Sequence, residues 1–176
     1  TLSVVQSLYE KHKCVTYPRT DSSHLPEDYP KECKGVLAEL AKSSNEGLKA
    51  FTEEALSGVD KANKRVFNDK KVSDHFAIIP TVNVPNLGDL SADEKKLYDL
   101  IVKRFKAVFL PPKITNTTQR FTYIGEIDAF RTTGSVVVSK GWTEIEKGAD
   151  DEAKDILPVI GDASEVNGES YEVQEK

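Results

Sequence analysis

The sequence predicts an α+β protein, mostly helical through about Leu110 and then antiparallel β. Three observations carry this. Before residue 110, apolar residues recur at helical spacing. Pro111-Pro112 then closes the last helical stretch, since neither proline can donate a helical hydrogen bond. Beyond them the apolar period drops to two, the signature of strands.

In order along the chain, Leu2, Val5, Leu8 and Tyr9 define an opening helix. It begins with no starting methionine, so the chain reads as a piece of a longer one. Residues 14–17 are expected to be extended ahead of Pro18. Pro26-Glu27-Asp28 suits a helix start, with proline in the first turn and acids at the positive end of the dipole. That helix is expected to reach about Ala41 and to bury Val36, Leu37 and Leu40, and a further helix is expected over 46–56. Residues 58–74, with Lys61, Lys64, Arg65, Lys70 and Lys71, read as a polar, basic loop. Ser91 and Glu94 form a capping box that opens a helix to about Phe109, with Leu97, Ile101, Phe105, Val108 and Phe109 as its apolar stripe. Strands are expected over 115–124, 127–133 and 135–139, punctuated by Gly125-Glu126 and Gly134, with short ones at 156–160 and 171–173.

The net charge of −5 divides unevenly. Residues 1–113 carry 18 Lys/Arg against 16 Asp/Glu, whereas residues 114–176 carry 6 against 13. Contact with a phosphate backbone therefore belongs to the first part, and the acidic tail reads as a solvated sheet edge. The apolar runs are too short for a membrane span, and no signal peptide is visible. Cys14 and Cys33 read as reduced thiols of a cytoplasmic protein. Cysteines and histidines lack ligand spacing, so no metal site is expected within the chain.

Thr16-Tyr17-Pro18-Arg19-Thr20-Asp21-Ser22 is the most informative stretch. Alternate side chains of an extended segment share a face, so Tyr17 and Arg19 are expected to point the same way, roughly 6–7 Å apart. Phenols ionise only near about pH 10 and are weak nucleophiles at neutral pH unless their oxyanion is favoured. A neighbouring guanidinium favours it and grips phosphate through two N–H donors. Asp21 falls on the same face, where it would repel phosphate; its expected role is to orient Arg19 or another cation. The same residues also suit an ordinary surface loop, and by themselves they leave both readings open.

Ser73-Asp74-His75-Phe76-Ala77-Ile78-Ile79-Pro80-Thr81 is the second candidate. Residues 77–79 read as a buried anchor that fixes His75 at the core's edge, where an imidazole can donate to a phosphate oxygen. A boundary histidine without that role fits the same pattern.

Together and in this order, these stretches resemble the type IA DNA topoisomerases, most closely their topoisomerase III branch. Leu8-Tyr9-Glu10 with residues 16–22 resembles the nucleophile motif, and residues 74–81 resemble the downstream histidine motif. Residues 97–105 with Val108-Phe109 resemble the helix that returns from the tyrosine domain; Gly134-Ser135-Val136-Val137 and Gly141-Trp142 resemble the β-rich arch. The resemblance implies a helical tyrosine domain over 1–110 and part of the arch over 111–176. It implies that Tyr17 attacks a phosphodiester of single-stranded DNA and becomes joined to the 5′ phosphate. Another strand then passes before the 3′ hydroxyl reverses the step, relaxing or decatenating DNA. Arg19 would stabilise the phosphate, and His75 would position the scissile segment, with Thr20, Asp21 and Ser22 beside them on the DNA-binding side. Phe76 departs from the family, which often has a second histidine there; against DNA its ring would stack on a base. The family's acidic, Mg²⁺-binding TOPRIM domain has no counterpart in this sequence. Magnesium and the rest of the DNA gate are therefore expected from elsewhere in a parent chain, and the isolated chain is expected to be inactive. Its β segment would lack partners, leaving an edge able to pair with a second copy.

A reading of a different class stays open from the residues: a non-catalytic module that clamps single-stranded nucleic acid with the same loop. Tyr17→Phe separates the two, because it removes only the hydroxyl.

Overall fold

The computed structural model describes residues 1–60, 62–124, 128–146 and 156–157. These fall into two units, residues 1–114 with 139–146, and residues 115–138 with 156–157. The first contains α1 (Leu2–Glu10), α2 (Pro30–Ala41), α3 (Glu46–Lys49), α4 (Thr52–Ser57) and α5 (Ala92–Ala107). Here α1 rests on α5 and α2 on α4, around a core that includes Leu8, Leu37, Leu40, Phe67 and Tyr98.

The second helix begins at Pro30 and not at Pro26 as expected. Pro30 has no N–H to give to the Pro26 carbonyl and its ring would clash there, so a helix cannot run through both. Pro26-Glu27-Asp28-Tyr29 instead forms a turn closed by Tyr29 N–H to Pro26 O at 3.1 Å, and Pro30 takes the first helical position. From there the helix ends at Ala41 and buries Val36, Leu37 and Leu40 as expected, with Cys33 added.

The single helix expected over 46–56 is two. It breaks at Phe51, whose φ of 61° lies in the left-handed region. The carbonyls freed by the break have a specific partner. Lys106 Nζ, on a side chain with no solvent exposure, donates to the carbonyl oxygens of Gly47, Leu48 and Ala50 at 3.1, 3.2 and 2.7 Å. An ammonium at a helix C-terminus meets both the unpaired carbonyls and the negative end of the dipole. Burial pulls the Lys106 ammonium down from 10.5 to about 8, which leaves it charged at neutral pH.

The capping box of α5 forms as expected, with Ser91 Oγ accepting from Glu94 N–H and Glu94 Oε2 from Ser91 N–H. Its buried face is rotated from the expected stripe. Tyr98, Val102, Phe105 and Phe109 are buried, while Leu97, Ile101 and Val108 are only partly so. The reason is that α5 is packed from several sides, by α1, α3, α4 and the short 3₁₀ turn Gly141–Ile145. The basic loop after α4 is anchored by buried Val59, Val66 and Phe67. Both cysteines are free and buried, and burial pushes their thiols up to about 11 at Cys14 and about 12 at Cys33.

In the second unit, β1 (Ile114–Ile124) and β2 (Asp128–Ser139) form an antiparallel pair. β2 runs unbroken through Gly134, which was expected to separate two strands; glycine weakens a strand without ending it. Phe121, Tyr123, Phe130, Val136 and Val138 are exposed on this hairpin. Gly125 and Glu126, and the short strands expected at 156–160 and 171–173 apart from Ile156 and Leu157, lie outside the described residues. Among the described residues no helix is long and apolar enough to cross a membrane.

Replacing Lys106 by methionine keeps the volume but strands three carbonyls. Urea denaturation is expected to show a loss of about 2–3 kcal/mol, the cost of unpaired buried acceptors less the relief of a buried charge. A variant as stable as the parent would show that the helix break does not depend on this ammonium.

Candidate active site

The site begins where α1 stops. Lys13 takes φ 55°, in the left-handed region, and Cys14 N–H reaches back to Leu8 O at 3.1 Å. The left-handed residue and this back-bond reverse the chain at the helix end and satisfy one of its last carbonyls. Residues 14–16 then run antiparallel to residues 79–81. Thr16 N–H donates to Ile79 O at 2.9 Å and Thr81 N–H to Cys14 O at 3.0 Å, flanking a Val15–Pro80 bridge. Val15 and Pro80 are thus a non-hydrogen-bonded pair, so the N–H that proline lacks is not missed.

Thr16 adds a second tie, its hydroxyl accepting from Ile79 N–H at 2.9 Å and donating to Ala77 O at 3.1 Å. Thr81 Oγ1 donates to Lys13 O at 2.7 Å, and Asn83 Nδ2 to His12 O at 2.8 Å. On the far side, Ala77 N–H donates to His24 O at 3.0 Å. The histidine motif is therefore stitched to both ends of the tyrosine motif.

The result is a tyrosine in contact with two rings. Tyr9 of α1 meets Tyr17 edge-on, with centroids 5.4 Å apart and planes at 82°. The His75 ring meets Tyr17 at 4.4 Å and 43°. Pro18 is buried, yet Tyr17 keeps 37% of its surface exposed. Arg19, Thr20, Asp21, Ser73, Asp74 and His75 line an adjoining open cleft of about 450 Å³. Lys13 Nζ sits 5.6 Å over the Tyr9 ring.

The α1 end that carries Tyr9 is latched to α5. Glu94 Oε1 accepts from Ser7 Oγ at 2.7 Å and lies 3.4 Å from His12 Nε2, while its other oxygen closes the capping box. The Ser7 hydrogen bond, followed by those of Ser91, holds the Glu94 carboxyl from 4.5 down to about 2.

The structure brings the expected residues together with some different partners. Arg19 and His75 share the cleft. Asp21 Oδ1 accepts from Ser73 Oγ at 2.8 Å, and among the described residues it makes no ion pair with Arg19. Thr20 Oγ1 donates to His75 O at 2.9 Å and accepts from Ser22 N–H; Ser22 Oγ donates to Lys71 O at 2.7 Å. These hydroxyls are spent inside the protein, holding the loop. Phe76 packs on Tyr29 at 4.7 Å. Tyr9 and Thr16 belong to the stretches that resemble the nucleophile motif, but the sequence assigns neither a role of its own. The available signal was alternation: Thr16 faces away from Tyr17, toward the interior, where a hydroxyl needs a partner.

Tyr17 is thus an exposed phenol against the Tyr9 and His75 rings, and His75 shares its cleft with the Arg19 side chain. Comparison with known proteins gives the family: the model of the DNA topoisomerase family matches residues 1–176, and the chain belongs to that family. More particularly, DNA topoisomerase 3 of Bacillus licheniformis is 45% identical over 155 residues, covering 86% of this chain and 20% of that protein. DNA topoisomerase 3 of Bacillus cereus is 37% identical over 168 residues (91% and 22%), and that of Shouchella clausii 41% over 154 residues (87% and 21%). The chain spans about a fifth of the length of these curated relatives.

Because Glu94 titrates below its unfolded value of 4.5, its contribution to stability is in place above that pH and is lost as pH falls toward about 2. Glu94→Gln is expected to be less stable at pH 7 and to lose less on acidification through this window, as followed by circular dichroism in urea. An acid profile parallel to the parent's would contradict the latch.

Proposed function

We propose that Tyr17 is the nucleophile of a type IA DNA topoisomerase acting on single-stranded DNA, and that this chain serves as the tyrosine-bearing part of a longer enzyme. The observation that supports this most is the exposed Tyr17 ring in contact with Tyr9 and with His75, the latter also lining the Arg19 cleft. In this reading the Tyr17 oxygen attacks phosphorus, the P–O3′ bond breaks, and a 5′-phosphotyrosine link forms. The phenol loses its proton and the departing 3′ oxygen gains one, so no water is consumed and the 3′ hydroxyl can reverse the step. Arg19 neutralises the charge that grows on the phosphate oxygens, and His75 donates to one of them while bracing the ring. Asp21, Thr20 and Ser22 keep this loop in shape beside the DNA.

Among the described residues, no three His, Cys, Asp or Glu side chains group as a magnesium ion would require. We assign it to a TOPRIM domain elsewhere in the longer protein. The same holds for the arch, of which residues 111–176 would be a part beside a tyrosine domain of residues 1–110. A two-stranded hairpin with exposed apolar side chains is marginal by itself, so it calls for cover from further strands or from a second copy.

The test mixes the chain with a separately produced TOPRIM segment, Mg²⁺ and end-labelled single-stranded DNA, then denatures. Label is expected on the native chain, none on Tyr17→Phe, and none without the TOPRIM segment. If co-elution proves assembly and no label appears, the loop is a phosphate clamp and the catalytic assignment falls.

A further inference from the structure

The basic loop between α4 and the histidine motif has no part in the chemistry above, yet one stretch of it is built against the tyrosine loop. Asp69–Lys71 forms a short 3₁₀ turn, with the side chain of Asn68 before it capping Lys70 N–H. That turn is pinned along its length. Leu25 N–H donates to Val66 O at 2.8 Å and Asn68 N–H to Leu25 O at 2.9 Å. Glu27 N–H donates to Asp69 Oδ1 at 2.8 Å, Ser22 Oγ to Lys71 O at 2.7 Å, and Ser73 Oγ to Asp21 Oδ1 at 2.8 Å. Beneath it, Val66 and Phe67 are buried.

The turn carries two lysines against one acid, Asp69. Asp69 accepts from the Glu27 amide and Asp21 from Ser73, while Glu27 pairs with Lys64 at 2.9 Å. Lys70 and Lys71 are exposed and, among the described residues, enter no ion pair. Two hydroxyls bridge Lys71 to the cleft. Ser22 Oγ holds the Lys71 carbonyl, Ser22 N–H rests on Thr20 Oγ1 at 3.0 Å, and Thr20 Oγ1 holds the His75 carbonyl. Lys71 is thus tied through its carbonyl to the loop that lines the Arg19–His75 cleft, with Lys70 beside it on the same turn, on a backbone that does not have to be ordered when a ligand arrives.

We propose that Lys70 and Lys71 extend the site as a phosphate-tracking rail, contacting single-stranded DNA next to the phosphate that Arg19 and His75 hold. This rests on the reading of that cleft as a DNA site. Lysine suits the task because a strongly hydrated point charge on a flexible stem follows a backbone without demanding a fixed geometry. Such contacts carry no base preference and strengthen binding at low salt.

The test uses the 176-residue chain and a fluorescent oligothymidylate, with anisotropy read across a salt series. Lys70→Ala with Lys71→Ala is expected to weaken binding about tenfold at low salt and to flatten the log K against log salt slope by about 1.4, two contacts at about 0.7 each. Lys95→Ala with Lys96→Ala, an equally exposed adjacent pair in the first turns of α5, removes the same charge and is expected to leave the slope unchanged. Arg19→Ala reports on the cleft independently. If it weakens binding while the Lys70/Lys71 pair does not, the rail is overturned and the cleft reading stands. Equal effects from both lysine pairs overturn it in favour of net charge. No binding by the native chain at low salt overturns the rail together with DNA contact by this chain.

Discussion

Two stretches of chain, 63 residues apart at Thr16 and Ile79, are held side by side by one hydroxyl and the short pairing around it. Everything at the site hangs from this junction. Tyr17 follows Thr16 directly, and Ala77, whose carbonyl takes the Thr16 proton, lies two residues beyond His75. Closing a loop of that length costs on the order of 4 kcal/mol in chain entropy. The bonds among residues 12–16 and 77–83, at about 1 kcal/mol each, roughly offset that cost, and the packing of α1 on α5 supplies further stabilisation. Tyr17 can therefore stay exposed without being loose, because its position is fixed by its neighbours and not by its own burial.

Two charged groups stiffen the support behind the junction, and both act on α5. Glu94 near its first turn fastens the end of α1 that carries Tyr9. Lys106 in its last turn fastens α3 through carbonyls that a continuous helix would have kept for itself. A buried charge with one partner missing is costly, so each fixes a unique arrangement of the elements it joins. The helix between them is the frame on which the tyrosine and histidine motifs are mounted.

Much of this frame is legible in the residues. Ser91 and Glu94 announce the start of α5, Pro111-Pro112 its end, and Val36, Leu37 and Leu40 the inner face of α2. The misses share a cause, which is that tertiary partners decide between locally equivalent choices. Pro26 and Pro30 each suit a first turn, and only the clash between them selects the second. Lys106 reads as a surface lysine until the broken helix supplies its carbonyls. The Tyr17–His75 contact has no local signature, since the pairing that creates it uses backbone groups around a proline; only the resemblance to the type IA topoisomerases set the two motifs in one site. Asp21, expected to orient Arg19 or another cation, also accepts from Ser73, a partner 52 residues away that periodicity does not reveal.

The most direct measurement is amide hydrogen exchange at Thr16, Ile79 and Thr81, in the native chain and in Thr16→Val. The account predicts that the three amides are protected together in the native chain, and that the substitution speeds all three while α5 stays protected. Fast exchange at these amides in the native chain, or protection unchanged by the loss of the hydroxyl, would show that something other than this junction holds Tyr17 against His75.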